Sequence, residues 1–343
     1  MNEPVVGGLL PSLIMVLVQF EFAGMNIFSK LAMDSGMNPF IHVAYRQIFA
    51  FIVLAPIAYF VERGKRPPMT MAVLVQVFFC SIFGLTLNQI TYFVGLKNST
   101  PTIACALSNL LPALTFVLAV MFKQEDAKLK TLGGLAKLIG TLIAVAGAMI
   151  LSMYHGPVVP IGESAIHLRA ANNAVNDSAR GTMIGPVLVI ISALTWAIWF
   201  IIQAKMGNFY PAPYSTSALM LGMATVECSL FGVIMVPHKQ EWSLFPSIRF
   251  VACVYGGVVC SGIGVCMMSW CIQRKGALFV SVFSPVLLVI VAVLSWVILR
   301  EKLYLGTVLG SVLIVMGLYS VLWGKSKELE PHKVDTMEDI EMH

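Results

Sequence analysis

Near the start of the chain, Gln19, Ala23, Asn26 and Lys30 follow one another at intervals of 4, 3 and 4 residues, so on a helix they share one face. Later, Ser192, Trp196, Trp199 and Gln203 repeat these intervals at an offset of 173 residues. Two matching faces bearing amides, a cation, a hydroxyl and aromatic rings suit a cavity for a small polar organic molecule. Packing bonds between neighbouring helices are the plainer reading of the same stripes. A third face carries Ser81, Gly84, Asn88, Tyr92 and Gly95. Its amide and phenol need partners if the segment lies in a bilayer, whereas its glycines fit an ordinary packing seam. Pro112 and Pro285, also 173 residues apart, each remove a helical hydrogen bond. Asn109 and Ser284 flank these breaks, and the carbonyls of residues 108 and 281 are expected to be freed there; a static kink is the alternative.

Ionisable side chains inside apolar runs are costly enough to be functional candidates by default. Lys30, Arg46, Glu21 and Glu227 are of this kind. Lys30 and Arg46 can meet a carboxylate, and Arg46 can equally hold a gate closed. Glu227 can meet an ammonium group or carry a proton. Glu21 is turned about 160° from the face of Lys30 at about 100° per residue, so a bond to another helix is expected for it. Lys137 and Lys205 are expected to snorkel toward the membrane surface. Together these groups favour a small organic substrate bearing a carboxylate.

Other chemistries are poorly served. Of the six histidines only His42 falls within an apolar run, with no serine or cysteine nucleophile close in sequence, which argues against an intramembrane enzyme. No phosphate-binding loop is present, so ATP-driven transport is excluded and no cofactor is expected. The seven cysteines lie in or beside apolar runs without a zinc-type pairing; they read as small hydrophobes rather than as a disulfide or metal framework. Exchange of nucleotide sugars would call for more basic residues in the cavity.

The elements that must position these residues follow from composition. The 343 residues are 58% hydrophobic and 11% charged, with mean hydropathy +0.85, against about 25% charged for soluble domains. Too few charges exist to wet the surface, so this is an integral membrane protein. A net charge of +5 spread thinly along the chain excludes a nucleic-acid binder. Ten apolar runs, at 9–32, 40–61, 71–95, 101–122, 131–151, 182–204, 213–236, 249–271, 277–299 and 305–323, are long enough for membrane helices. They do not alternate as barrel strands do. The first run is too long for a cleaved signal segment and has no basic stretch before it.

Basic residues outside the spans divide eleven to seven between the two sides, which places both termini in the cytosol. The sequons at Asn98 and Asn176 then fall on the other side, Asn98 too near the membrane to be glycosylated. Residues 152–181 carry Pro157, Pro160 and three asparagines and read as a non-cytosolic linker. The polar stretch 325–343 reads as a disordered tail. Two halves result, 1–151 and 182–324. They echo each other: Pro112 pairs with Pro285 and, after a three-residue gap, Glu125 with Glu301, Leu129 with Leu305, Thr131 with Thr307 and Gly134 with Gly310. Five helices per half is odd, so the halves are expected to be inverted, with a substrate site between them near mid-membrane, as in alternating-access carriers.

Three segments resemble a known family. They are AGMNIFSKLAMDSGMNPFIHVAYRQIFA, NQITYFVGLKNSTPTIACALSNLLPALTFVLAV and SWCIQRKGALFVSVFSPVLLVIVA. They are similar to plant drug/metabolite transporters of the EamA type, within the nodulin-21-like, walls-are-thin-related group that includes the usually-multiple-acids-move-in-and-out exporters. The resemblance runs from about Gly7 to Gly324. It implies an all-α fold of ten transmembrane helices, N- and C-termini cytosolic, that moves amino acids or, in some members, auxin as a facilitator or secondary transporter. It also implies that helices one, two, six and seven rock against three, four, eight and nine, with five and ten outside. Arg46 resembles a recurrent arginine of the family, and Ser284 stands where the family commonly has Asn. The membrane implied is the plasma membrane or the vacuolar one, and the protein is expected as a monomer or homodimer. An amino acid would use Lys30 and Glu227 together; indole-acetate would stack on Trp196 or Trp199 and leave Glu227 without a positive partner.

Overall fold

The computed structural model of the chain describes residues 3–64, 66–98, 107–125, 131–154, 156–157, 184–299 and 304–341. Among these the fold is helical and no strand forms. The first half comprises α1 (Glu3–Asp34), α2 (Pro39–Glu62), α3 (Met71–Cys80), α4 (Asn88–Lys97), α5 (Leu111–Met121) and α6 (Leu132–Met153). The second comprises α7 (Ile184–Phe209), α8 (Pro213–Met235), α9 (Ser247–Val254), α10 (Val265–Lys275), α11 (Ala277–Val282), α12 (Val286–Leu299) and α13 (Leu305–Glu341). Eight described helical stretches are long and apolar enough to cross a membrane, and Leu111–Met121 and Ala277–Val291 are shorter apolar helices. The protein is a multi-pass membrane protein.

Local chemistry sets the helix ends. Asn38 caps α2 by accepting the N–H of Phe40 at 3.2 Å, with Pro39 at the first helical position. Thr70 and Thr131 likewise accept N–H bonds at the starts of α3 and α6, one of the four orphan donors at each helix start. The start of α8 is capped from the other half: Glu62, on the last turn of α2, accepts the N–H groups of Tyr214 and Ser215 at 3.1 and 2.7 Å.

Both proline sites are true helix breaks. A turn at Asn109–Leu110 precedes α5, which carries Pro112 in its first turn. A turn over Phe283–Pro285 separates α11 from α12. Contrary to the expected free carbonyl, that of Ser281 accepts the N–H of Ser284 at 3.0 Å, because the chain tightens into a three-residue turn there.

The third helix of each half contains a π-helical segment. Ser81–Leu87 joins α3 to α4, and Tyr255–Gly264 joins α9 to α10. Such segments are rare and concentrate at functional places. No proline lies in either one, and the hydropathy pattern gives no sign of them.

The two halves touch at both ends. At one end Glu62 meets α8, and Glu125 pairs with Lys137 at 3.3 Å and also with Lys325. At the other, Arg249 bonds to Ser35, Tyr45 donates to the carbonyl of Trp242 at 2.8 Å, and Leu305 N–H donates to Pro157. Helices α6 and α13 lie backbone to backbone: a Cβ on Gly147 would come within 2.9 Å of the Gly310 carbonyl, and one on Gly317 within 2.6 Å of that of Gly140. Lys137 is therefore not a snorkelling lysine; it is fully buried and held by Glu125. Lys205 is exposed. Past the membrane-length portion, α13 continues as helix to Glu341, where the sequence suggests a disordered tail. An established helix adds a bond for each further residue at little cost. Most of the 152–181 stretch, with Asn176, lies outside the described residues.

Candidate functional site

Between the halves lies a cavity of about 410 Å³. Helix α1 contributes Gln19, Phe22, Ala23 and Asn26; α4 contributes Asn88 and Tyr92; and Ser108 and Asn109 come from the break before α5. From the second half, α7 contributes Ser192, Trp196 and Phe200, and Ser284 comes from the break before α12. The rest of the wall is apolar, from Met15, Met268, Leu287, Leu288 and Val291 among others. No charged side chain lines this cavity among the described residues.

Nine residues singled out in the sequence thus face one space: Gln19, Ala23, Asn26, Asn88, Tyr92, Asn109, Ser192, Trp196 and Ser284. Helical geometry brings them there. Asn26 stands seven residues after Gln19, two turns along one face, and Ser192 and Trp196 occupy neighbouring turns of α7. The amide of Asn88 also joins the halves, donating to the carbonyl and hydroxyl oxygens of Ser192 at 2.8 and 2.9 Å. The Ser192 hydroxyl lies 3.0 Å from the carbonyl of Asn88. Trp196 stacks in tilted contact on Trp199 at 4.9 Å and edge-on to Phe200 at 5.9 Å. The backbone of Lys30 continues this face of α1; its side chain lies outside the described residues.

Three expected members stand elsewhere. Trp199 is fully buried, with its Nε1 directed at the Met220 sulfur at 3.3 Å and its ring over Gly84, where a Cβ would come within 2.5 Å. Its place three residues after Trp196 turns it about 60° away from the cavity. Gln203 is seven residues after Trp196, about 10 Å further along the axis, and its Oε1 lies 3.7 Å from the Cys80 sulfur. Glu227 faces the first π segment: the hydroxyls of Ser81 and Thr86 donate to its two oxygens at 2.6 and 2.5 Å. Its carboxylate is therefore not the partner of an ammonium in this cavity.

Arg46 grips the other π segment. It is 3% exposed, and its Nε and NH2 donate to Ser261 at 3.1 and 3.0 Å. Glycine makes this approach possible, because a Cβ on Gly256 would lie 2.8 Å from the Arg46 Cδ. Glu21, on α1, leans on the same segment: its Oε2 would come within 2.9 Å of a Cβ on Gly264. Among the described residues that oxygen is buried with no hydrogen-bond partner, so the expected bond to another helix is missing there at that atom. Each π segment is thus held by an ionisable residue from the opposite half. Sequence reasoning missed both contacts. The Gly256, Gly257, Gly262 and Gly264 cluster was the available signal for the second, and nothing comparable marks the first. It also missed Phe22 and Phe200, whose apolar character looks like ordinary core.

The sequence model of the EamA-like transporter family matches this chain twice, over residues 9–153 and 183–323. Two WAT1-related proteins of Arabidopsis thaliana are 37% and 36% identical to it over 326 and 318 residues; each alignment covers 93% of this chain, with 81% and 86% of the respective relative. Protein WALLS ARE THIN 1 of Arabidopsis thaliana is 34% identical over 321 residues, 92% of this chain and 82% of that protein. A solved chain described only as the crystal structure of a protein superposes with a TM-score of 0.66 at 18% identity, over 91% of this chain and 97% of its own. That last likeness is one of fold.

Proposed function

This chain belongs to the EamA-like transporter family, and from that premise we propose that it carries amino acids across the membrane by alternating access around the cavity between its halves. The observation that carries this reading is the composition of the cavity wall: four amides, several hydroxyls and an aromatic face, drawn from both halves. A zwitterion matches such a wall. Its ammonium meets amide oxygens and the face of Trp196, and its carboxylate meets amide N–H and hydroxyl donors. Lys30, one helical turn beyond Asn26 on the same face of α1, adds a cation for the carboxylate. The proline breaks at Pro112 and Pro285 place Asn109 and Ser284 at irregular backbone, which membrane proteins tolerate where it lines a cavity.

The motion proposed is rocking of two inverted five-helix repeats, with both termini cytosolic. The two-fold family match and the equivalent π segments support it, as does the pair α6 and α13 standing to one side. Export across the plasma membrane is the favoured direction and place. A second reading has its own observation. Trp196 and Phe200 in the wall provide a shelf for an indole ring, which favours indole-3-acetic acid as an alternative cargo.

Efflux from oocytes preloaded separately with labelled glutamine and labelled indole-acetic acid tests both readings. Wild type is expected to release glutamine, and the Asn26→Ala/Lys30→Ala double variant to lose at least about tenfold of that rate, since hydrogen bonds to charged groups are worth about 1.5–3 kcal/mol. Release of indole-acetate alone moves the assignment to auxin. Release of neither, from protein shown to be at the oocyte surface, contradicts both.

A further inference from the structure

A second cavity, of about 600 Å³, lies apart from the first, at the end where Glu62 meets α8. The irregular Pro67–Pro68 segment after α2 lines it, and its apolar wall is made by Phe51, Ala55, Leu74 and Leu219. At its polar end stand Arg66, Tyr210 and Ser215. Tyr210 and Ser215 are 1% and 4% exposed, yet among the described residues neither the Tyr210 hydroxyl nor the Ser215 Oγ has a hydrogen-bond partner. Buried hydroxyls left unpaired are costly, so two together in one cavity mark a place where something else completes the bonding.

The charge of that something is set by its neighbours. Glu62 is the acid at hand, and both of its oxygens already accept backbone N–H groups of α8. The Arg66 guanidinium and two hydroxyls remain as donors. Arg63 stands at the rim, 5.2 Å over the ring of Tyr59. A group rich in acceptor oxygens and negatively charged satisfies all of these donors. The apolar wall decides between a free anion and a tethered one. Three of its own apolar lining residues, Phe51, Tyr59 and Met69, are exposed on the outer surface, where acyl chains of the bilayer run. Basic residues just outside a span attract anionic lipid in the same way.

We propose that this cavity binds one anionic phospholipid, its phosphate on Arg66, Tyr210 and Ser215 and an acyl chain along Phe51, Ala55 and Leu219. The lipid fastens the end of α2 to the start of α8, one helix from each half, beside the cap that Glu62 already makes. This assignment does not depend on the identity of the transported molecule.

Native mass spectrometry of the detergent-purified full chain, titrated with dioleoyl-phosphatidylglycerol, tests it. Wild type is expected to retain one lipid and to prefer phosphatidylglycerol over dioleoyl-phosphatidylcholine. Arg66→Gln is expected to weaken retention by about tenfold or more, as for loss of a charge-assisted bond, and Tyr210→Phe by a smaller factor with its ring and packing kept. Millimolar inorganic phosphate is expected not to displace the lipid. Unchanged retention in Arg66→Gln overturns the proposal. Should Arg66→Gln fail to fold, unchanged retention in Tyr210→Phe overturns it instead. Equal uptake of the two lipids, or displacement by phosphate alone, also overturns it.

Discussion

The two π-helical segments are the same backbone device held by opposite chemistry. Ser81–Leu87 carries its own hydroxyls, which occupy both oxygens of Glu227 from α8. Tyr255–Gly264 is glycine-rich and presents one hydroxyl, that of Ser261, to Arg46 from α2. In the first the charge is fully bonded; in the second it is admitted because side chains have been removed around it. One segment is fastened to a carboxylate by two hydroxyls, and the other packs under a charge whose one hydrogen-bond partner, among the described residues, is a single hydroxyl.

The contrast can be broken most severely at Gly257. A Cβ there would come within 2.5 Å of the Arg46 carbonyl and 3.2 Å of the Ala50 nitrogen, all rigid backbone. Gly257→Val is expected to cost about 3 kcal/mol or more, seen as loss of monodisperse protein on size-exclusion chromatography. Gly84→Ala in the other segment meets the ring of Trp199 instead, a side chain that can shift, and is expected to cost less.

Next in size is Glu227→Ala. It strands the hydroxyl of Thr86 and leaves that of Ser81 with the Phe78 carbonyl at 2.8 Å, and is expected to lower stability by about 1–3 kcal/mol, read as a fall in the detergent melting midpoint. Glu227→Gln keeps one acceptor and is expected to recover part of that loss. Smallest is Arg46→Met. Replacing a sparsely partnered buried charge by an apolar chain of similar length is often neutral or stabilising, so a change within about 1 kcal/mol is expected, together with slower transport. A large loss of stability in Arg46→Met would remove the distinction between the two segments.

Much of this architecture was legible in the sequence, and the reason is the bilayer. A span needs about 20 apolar residues, and runs such as 71–95 and 213–236 coincide with helices of the structure to within a residue or so. The cavity was legible where a stripe stays within two helical turns, as from Gln19 to Asn26. It was misjudged where a stripe continued past the cavity, as at Gln203, or turned off it, as at Trp199. The π segments were invisible, since a π turn adds a residue to the helix period without changing composition. With them went the true setting of Glu227 and Arg46, which sequence alone could place only by depth. The proline breaks were readable from Pro112 and Pro285, but the repair at Ser281 depends on a turn geometry that no residue type announces.

The central claim is that the shared cavity, and not the outlying polar residues of the same stripes, carries the cargo. Initial rates of labelled glutamine efflux from proteoliposomes test it most directly, with Trp196→Ala and Gln203→Ala compared against wild type at matched reconstitution. Trp196→Ala is expected to lose about tenfold or more of the rate and Gln203→Ala to stay within about twofold, as for removal of a group that touches substrate against one that does not. A wild-type rate in Trp196→Ala beside a collapse in Gln203→Ala would contradict the account.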